Sequence, residues 1–483
     1  MYDDNTDWPS LQSQILIILW GQIMENITLK WEPGGGPLYE QLYRYFVTEM
    51  ESGRLREGER LPSKRALRAH LGVSQSTVET AYGLLAAEGY LRSAPRSGYF
   101  VSAAAPRARV ESAPPAPAAP VPALPAPPAG PDLSTGAVDT AAFPYASWAK
   151  LHREVMYRNP DLLQKGENQG DLSLRQALCA FLREWRGVRS EPEQVLVGAG
   201  MEYLLDLLIQ LIPPGDVWAL EDPGYGAVRR ALQNNGRRAV FVPLDGDGMR
   251  LDSLGRSGAS VAYITPSHQF PMGVTMPIGR RSRLLEWAEG GDRLLIEDDY
   301  DSEFRYGPRP VPALQGLDRS GRVVYIGTFS RSVAPSIRVA YLVLPRRLLP
   351  VYRARFGWAA STVSRFEQQT LRRFLEEGLF ARHLRRMNAL YRRKQQALLE
   401  GLSVLPGAQV RGAQAGLHFL VTVPGRTDGE LVSRAAEAGL RVRGLSDYAR
   451  EAPVPAGTAV LGFAGLRQED IPGVAARLVA AWR

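Results

Sequence analysis

Leu294-Leu-Ile-Glu-Asp-Asp-Tyr-Asp301 runs from apolar residues straight into a loop of acids and a phenol. Four other segments do the same: Val195-Leu-Val-Gly-Ala-Gly-Met-Glu202, Val217-Trp-Ala-Leu-Glu-Asp-Pro-Gly-Tyr225, Val261-Ala-Tyr-Ile-Thr-Pro-Ser-His-Gln-Phe-Pro271 and Val323-Val-Tyr-Ile-Gly-Thr-Phe-Ser330. Helix-periodic stretches such as 202–212 and 281–288 lie between them. Strands without polar alternation are covered on both faces, and strands of that kind separated by helices predict an α/β domain with a mainly parallel sheet. Such sheets bind ligands beyond the carboxyl ends of their strands, so the chemistry is expected in these five loops.

Toward the N-terminus, residues 102–131 are almost entirely Pro and Ala, a composition that builds no core and favours extended polyproline structure. They are read as a linker, dividing a large domain (132–483) from a small one (37–101). In the small domain Tyr39, Leu42, Tyr43, Phe46 and Met50 recur at helical spacing, with Gly53 at the end of the helix. Ser63 then caps a helix carrying Ala66, Leu67 and Leu71, and Ser74 caps another carrying Val78, Ala81, Tyr82 and Leu85. Two helices around a Gly-containing turn predict a helix-turn-helix. Tyr90–Ser93 and Tyr99–Val101 predict a hairpin with a basic tip at Arg96, the wing of a winged helix (α+β). Ser74, Gln75, Ser76 and Thr77 open the recognition helix, where side chains meet base edges; Lys64, Arg65 and Arg96 supply charge to the phosphates, and Ser63 is counted with the DNA-binding set. The expected partner is double-stranded promoter DNA.

A chain of 483 residues with 45% hydrophobic composition needs more than one core, and its formal charge of +8 permits nucleic-acid binding without proving it. One cysteine, Cys179, excludes an internal disulfide framework and fits the cytoplasm. The run Ile15–Trp20 is far short of the ~20 residues a membrane helix needs, and Asp3, Asp4 and Asp7 are the wrong flank for a signal peptide. Residues 1–36 are read as a leader, either a misassigned start ahead of Met24 or a disordered arm. No metal site is expected.

The ordered set Leu61-Pro-Ser-Lys-Arg-Ala-Leu67, Leu71-Gly-Val-Ser-Gln-Ser-Thr-Val78, Glu88-Gly-Tyr-Leu91 and Ser97-Gly-Tyr-Phe-Val101 resembles the GntR family of winged-helix regulators. That family usually places Arg where this chain has Gln75, so base preference is expected to differ. From Leu133 to Arg483 the loops resemble fold-type-I, pyridoxal-phosphate (PLP)-dependent aminotransferases. Glu297-Asp-Asp-Tyr-Asp-Ser-Glu-Phe-Arg-Tyr306, Thr265-Pro-Ser-His-Gln269 and Gly327-Thr-Phe-Ser330 point to the MocR/GabR-type subfamily of GntR regulators. The resemblance implies that Asp298 pairs with the pyridinium nitrogen of PLP and Tyr300 with its ring hydroxyl. It also implies that Thr328, Arg338 and the amides of Gly200, Met201 and Glu202 hold the phosphate, with Tyr225 stacked on the ring and His268 beside it.

At the position where that family carries the lysine that forms the Schiff base with PLP, this chain has Arg331. A guanidinium stays charged and cannot serve as that amine. Lys30, Lys64, Lys150, Lys165 and Lys394 are the only lysines, none of them in a strand-end loop. The expectation is a catalytically inactive domain that senses PLP, a PLP adduct or an amino-acid-like effector without covalent attachment, in a homodimer whose winged helices respond. Two rivals stay open: a working aminotransferase fused to a DNA-binding module, and a constitutive regulator whose large domain only dimerises. Arg229, Arg441 and Arg443 are possible receptors for an effector carboxylate.

Overall fold

A computed structural model describes residues 27, 29–95, 97–102, 130–306 and 312–483. They form two compact units, one on each side of 103–129.

The small unit consists of α1 (Leu38–Glu51), α2 (Lys64–Leu71), α3 (Gln75–Ala87), β1 (Leu91–Ala94) and β2 (Gly98–Val101). The Ser63 hydroxyl accepts the Ala66 amide at 3.2 Å and the Ser74 hydroxyl accepts that of Thr77 at 3.1 Å, so both short helices start at the serines expected to cap them. The first helix is capped at Ser52, and Gly53 takes the left-handed conformation one residue later. The hairpin strand expected at Tyr90–Ser93 is displaced by one residue, because Leu91 is the buried partner opposite buried Val101 and that inward pair sets the register. Leu42, Phe46, Leu67, Val78, Tyr82 and Leu85 form the fully buried centre. Ile27 is buried on this core with Leu29 and Trp31 packed beside it, and Gln41 accepts the Glu32 amide at 3.0 Å. The folded unit thus reaches ahead of residue 37, into the expected leader, because alternate apolar side chains there find the same core. Residues 1–26 and Arg96 lie outside the described residues.

The large unit is built on an eight-stranded sheet. Its strands are β3 (Val195–Gly198), β4 (Val217–Asp222), β5 (Arg238–Asp245), β6 (Gly248–Met249), β7 (Val261–Ile264), β8 (Leu294–Asp299), β9 (Val323–Thr328) and β10 (Ala340–Val343). The order is β3-β10-β9-β8-β7-β4-β5-β6. Strands β9, β8, β7, β4 and β5 are parallel; β10 runs antiparallel to both β3 and β9, which leaves β3 pointing the same way as β9. The five segments picked out by sequence are therefore β3, β4, β7, β8 and β9, with their carboxyl ends on one side. Both faces are covered, as the unbroken apolar runs require: Leu294 and Ile296 belong to one hydrophobic cluster and Leu295 to another.

A second, antiparallel sheet was not expected. It orders β11 (Gln409–Arg411), β12 (His418–Thr422), β13 (Arg443–Gly444) and β14 (Thr458–Gly462) as β11-β12-β14-β13, and it follows the 24-residue helix Leu379–Leu402. Among the described residues no helix is long and apolar enough to cross a membrane.

Candidate functional site

Three consecutive acids end β8, and the pleat sends them apart. Glu297 accepts the amides of Leu314 and Gln315 at 2.7 and 2.8 Å and lies 3.7 Å from Arg281. Asp299 pairs with Arg186 at 2.7 Å and accepts the Tyr325 hydroxyl at 2.5 Å. Burial would raise Asp299, but Arg186 and these hydrogen bonds hold it below the usual carboxylate range. Asp298, on the opposite face, accepts a short hydrogen bond from the Tyr263 hydroxyl through Oδ2, while its Oδ1 is buried without a partner. Burial pushes Asp298 up to about 7; Tyr263 opposes the shift and the neighbouring acids reinforce it.

Asp298 lines a cavity of about 190 Å³ at the strand ends. Met201 and Glu202 enter it after β3, Tyr225 after β4, Thr265 and Phe270 after β7, Tyr300 after β8, and Thr328, Ser330 and Arg331 from β9 onward. Pro335 and Arg338 from the turn into β10, and Thr135 and Gly136 from the start of the unit, complete the wall. Eight of the ten expected ligand-holding residues thus meet in one place. Gly200 is not in the wall but caps the helix Met201–Leu211, with φ +92° and no side-chain cap. A Cβ there would lie 2.2 Å from Arg338 Nη2, so only glycine lets the guanidinium come so close to the helix start. Arg338 donates to Glu202 Oε2 at 2.6 Å, and it is the one described non-glycine residue with positive φ, 49°. Thr328 Oγ1 accepts the Ser330 amide at 3.1 Å. Arg331 is half-buried, and among the described residues no lysine lines the cavity; Lys394 is buried elsewhere, donating to Asp139 at 2.7 Å and to two carbonyls.

His268, expected beside the ring, stands behind the wall instead. It is 1% exposed, with Nδ1 3.0 Å from Asp301 Oδ2 and 3.1 Å from the Tyr300 hydroxyl, because Asp301 and Gly416 hold its ring against the second sheet. Tyr300 donates to the His268 carbonyl at 3.0 Å, leaving its oxygen to accept. Sequence reasoning missed Tyr263, Asp301 and His418. His268, Asp301 and His418 bring donor atoms within 4.8 Å of one another, and only the presence of a His and an acid in motifs already singled out hinted at that cluster. Of the three arginines considered for a carboxylate, Arg441 is bound to Asp132 and Arg443 is 3.9 Å from Asp447. Arg229 donates to Gln233 at 3.1 Å and lines a smaller cavity with Tyr225 and Thr265. Cys179 is buried, and burial raises its thiol pKa.

On the small unit Ser63, Arg65, Ser74, Gln75 and Ser76 are exposed, and Lys64 and Thr77 half-buried. Gln75 Nε2 donates to Glu79 at 3.1 Å and Lys64 lies 3.7 Å from the same carboxylate. Gln75 and Lys64, from two different helices, thus converge on one acid, Glu79.

Residues 38–101 match the family of bacterial regulatory proteins, gntR family, and residues 131–452 match aminotransferase class I and II. The chain is 39% identical to the HTH-type transcriptional regulator YdeL of Bacillus subtilis (strain 168), over 92% of this chain and 97% of that one. It is 35% identical to the probable rhizopine catabolism regulatory protein MocR of Rhizobium meliloti, over 89% and 90%. Among solved structures, LysN, the α-aminoadipate aminotransferase of Thermus thermophilus complexed with N-(5'-phosphopyridoxyl)-L-leucine, superposes with a TM-score of 0.65 at 28% identity, covering 73% of this chain and 92% of that one. A winged helix-turn-helix followed by an aminotransferase-type sheet, matched over about nine-tenths of the chain by regulatory proteins, places this chain in the MocR/GabR subfamily of GntR transcription regulators.

Proposed function

We propose that the large unit is a ligand sensor for the small one: its cavity takes a pyridoxal-phosphate species or a phosphopyridoxyl amino-acid adduct without covalent attachment, and the bound ligand alters operator binding by a homodimer. The observation that carries this reading is the buried, unpartnered Oδ1 of Asp298 in a cavity that also holds Arg338 and has no lysine. An orphaned buried carboxylate oxygen calls for a donor, and a protonated pyridine nitrogen is one. The glycine at the helix start, with Arg338 pressed against it, fits a phosphate in the same way. The amides of Gly200, Met201 and Glu202, with Thr328 and Arg338, would hold the phosphate, Asp298 the ring nitrogen, Tyr300 the ring oxygen, and Tyr225 the ring face. PLP, when bound, would supply an aldehyde that forms an imine only with a neutral amine, and Arg331 offers none.

Ser63, Lys64, Arg65, Ser74, Gln75, Ser76, Thr77 and Arg96 would contact double-stranded DNA. Coupling requires that the ligand bind the two arrangements of the dimer with different affinity. The test is a titration of the full chain with PLP and with pyridoxamine 5'-phosphate, with and without amino acids, following visible absorbance and fluorescence anisotropy of operator DNA. Expected is a shift in DNA binding with no absorbance band of an imine between PLP and the protein itself when amino acids are absent. A stable band of that kind, or DNA binding indifferent to every compound, overturns the reading.

A further inference from the structure

The anion grip at the helix start already holds an anion of the protein's own. Glu202 is the second residue of the helix Met201–Leu211, and its carboxylate takes the Arg338 guanidinium at 2.6 Å. Burial alone would raise its pKa, yet the Arg338 hydrogen bond and the helix's own amide bring it below the usual range. Among the described residues Arg338 has one other acceptor, the Ala199 carbonyl at 3.4 Å. Its left-handed backbone is a conformation that persists only where surroundings enforce it, so the guanidinium is aimed at this spot.

We propose that Glu202 is a specificity-determining residue that stands in for a ligand's phosphate, so that a phosphorylated ligand gains less from Arg338 than an open grip would give. Two anions beside one guanidinium repel each other, and the incoming phosphate must displace the carboxylate. The proposal rests on the ligand-sensing reading for the identity of the ligand but not for the existence of the grip. Glu202 has 63% of its side chain exposed, so replacing it leaves the fold intact.

The experiment compares the full native chain with Glu202→Gln by calorimetry, using inorganic phosphate alone and then the pair pyridoxamine and pyridoxamine 5'-phosphate; melting curves confirm that both fold. Glu202→Gln is expected to bind inorganic phosphate about tenfold more tightly than the native chain, and the added Arg338→Ala change to abolish the gain. The preference for pyridoxamine 5'-phosphate over pyridoxamine should widen by a similar factor, with pyridoxamine itself unchanged. Equal phosphate affinity in both chains, or none in Glu202→Gln, overturns the proposal. A gain in phosphate binding by a variant that ignores both pyridines would sink the cofactor reading and leave the role of Glu202 standing.

Discussion

Two helix starts carry the two surfaces of interest, and they are built in opposite ways. At α3, Ser74 satisfies the Thr77 amide itself, and the side chains that follow stay exposed on a helix stabilised by its own cap. At the helix Met201–Leu211, Gly200 offers no side chain, and a residue far along the chain, Arg338, comes to fill the space. The first surface is local, shallow and made of neighbours in sequence. The second is deep and exists only because four other loops arrive beside it. A reader of DNA must present itself to a large rigid partner, whereas a small-molecule site must surround its ligand.

The contrast can be broken most forcefully at Asp298. Replacing it with Ala removes the only charged partner proposed for the ring nitrogen, and the affinity for pyridoxamine 5'-phosphate should fall by about a hundredfold, the scale of a broken buried ion pair. Operator binding by the unliganded chain should be unaffected, which anisotropy checks. Next in size is Gln75→Ala: if the shallow surface reads bases, discrimination between operator variants should drop by about 1–3 kcal/mol at one position, while affinity for random DNA holds.

A third test uses pH. Asp298 is raised when folded, from 3.8 to about 7, so the folded unliganded chain binds its proton more tightly than the unfolded one. Its contribution is full below about pH 4 and lost as pH rises through 7. The melting midpoint should therefore fall from pH 5 to pH 8, and Asp298→Asn should flatten that slope by about 2–4 °C; an unchanged slope would mean that other raised acids, such as Glu221 and Glu303, account for it. The smallest expected effect is Ser74→Ala, which should cost the small unit about 1 kcal/mol in a denaturant titration and leave ligand binding as it was.

Much of this molecule is legible in its sequence, for a physical reason that also marks the limit. The strands β3, β4, β7, β8 and β9 are apolar throughout because both sheet faces are buried, and that leaves a signal in consecutive residues. The four strands β11–β14 are two to five residues long and pair only with each other, so no stretch of sequence declares them. Tyr263 escaped notice because it is the cross-strand setting, one strand over, that makes it Asp298's donor. His268 was drawn to the ring by its place in a motif, but Asp301 and the turn at Gly416 hold it behind the wall. Thr135 and Gly136 reach the cavity from just beyond the Pro/Ala segment, where nothing local speaks of a site.

The acid triplet of β8 also bears on how the chain finds its fold. A slip of one residue in that strand would swing Asp298 toward the guanidinium side and turn Glu297 and Asp299, with their charges stranded, toward the cavity. Hydrophobic side chains alone would object little, since Leu294, Leu295 and Ile296 are nearly interchangeable. The different partners waiting on its two faces make β8 self-correcting, and the same arrangement that leaves one oxygen waiting for a guest keeps the sheet from settling out of step.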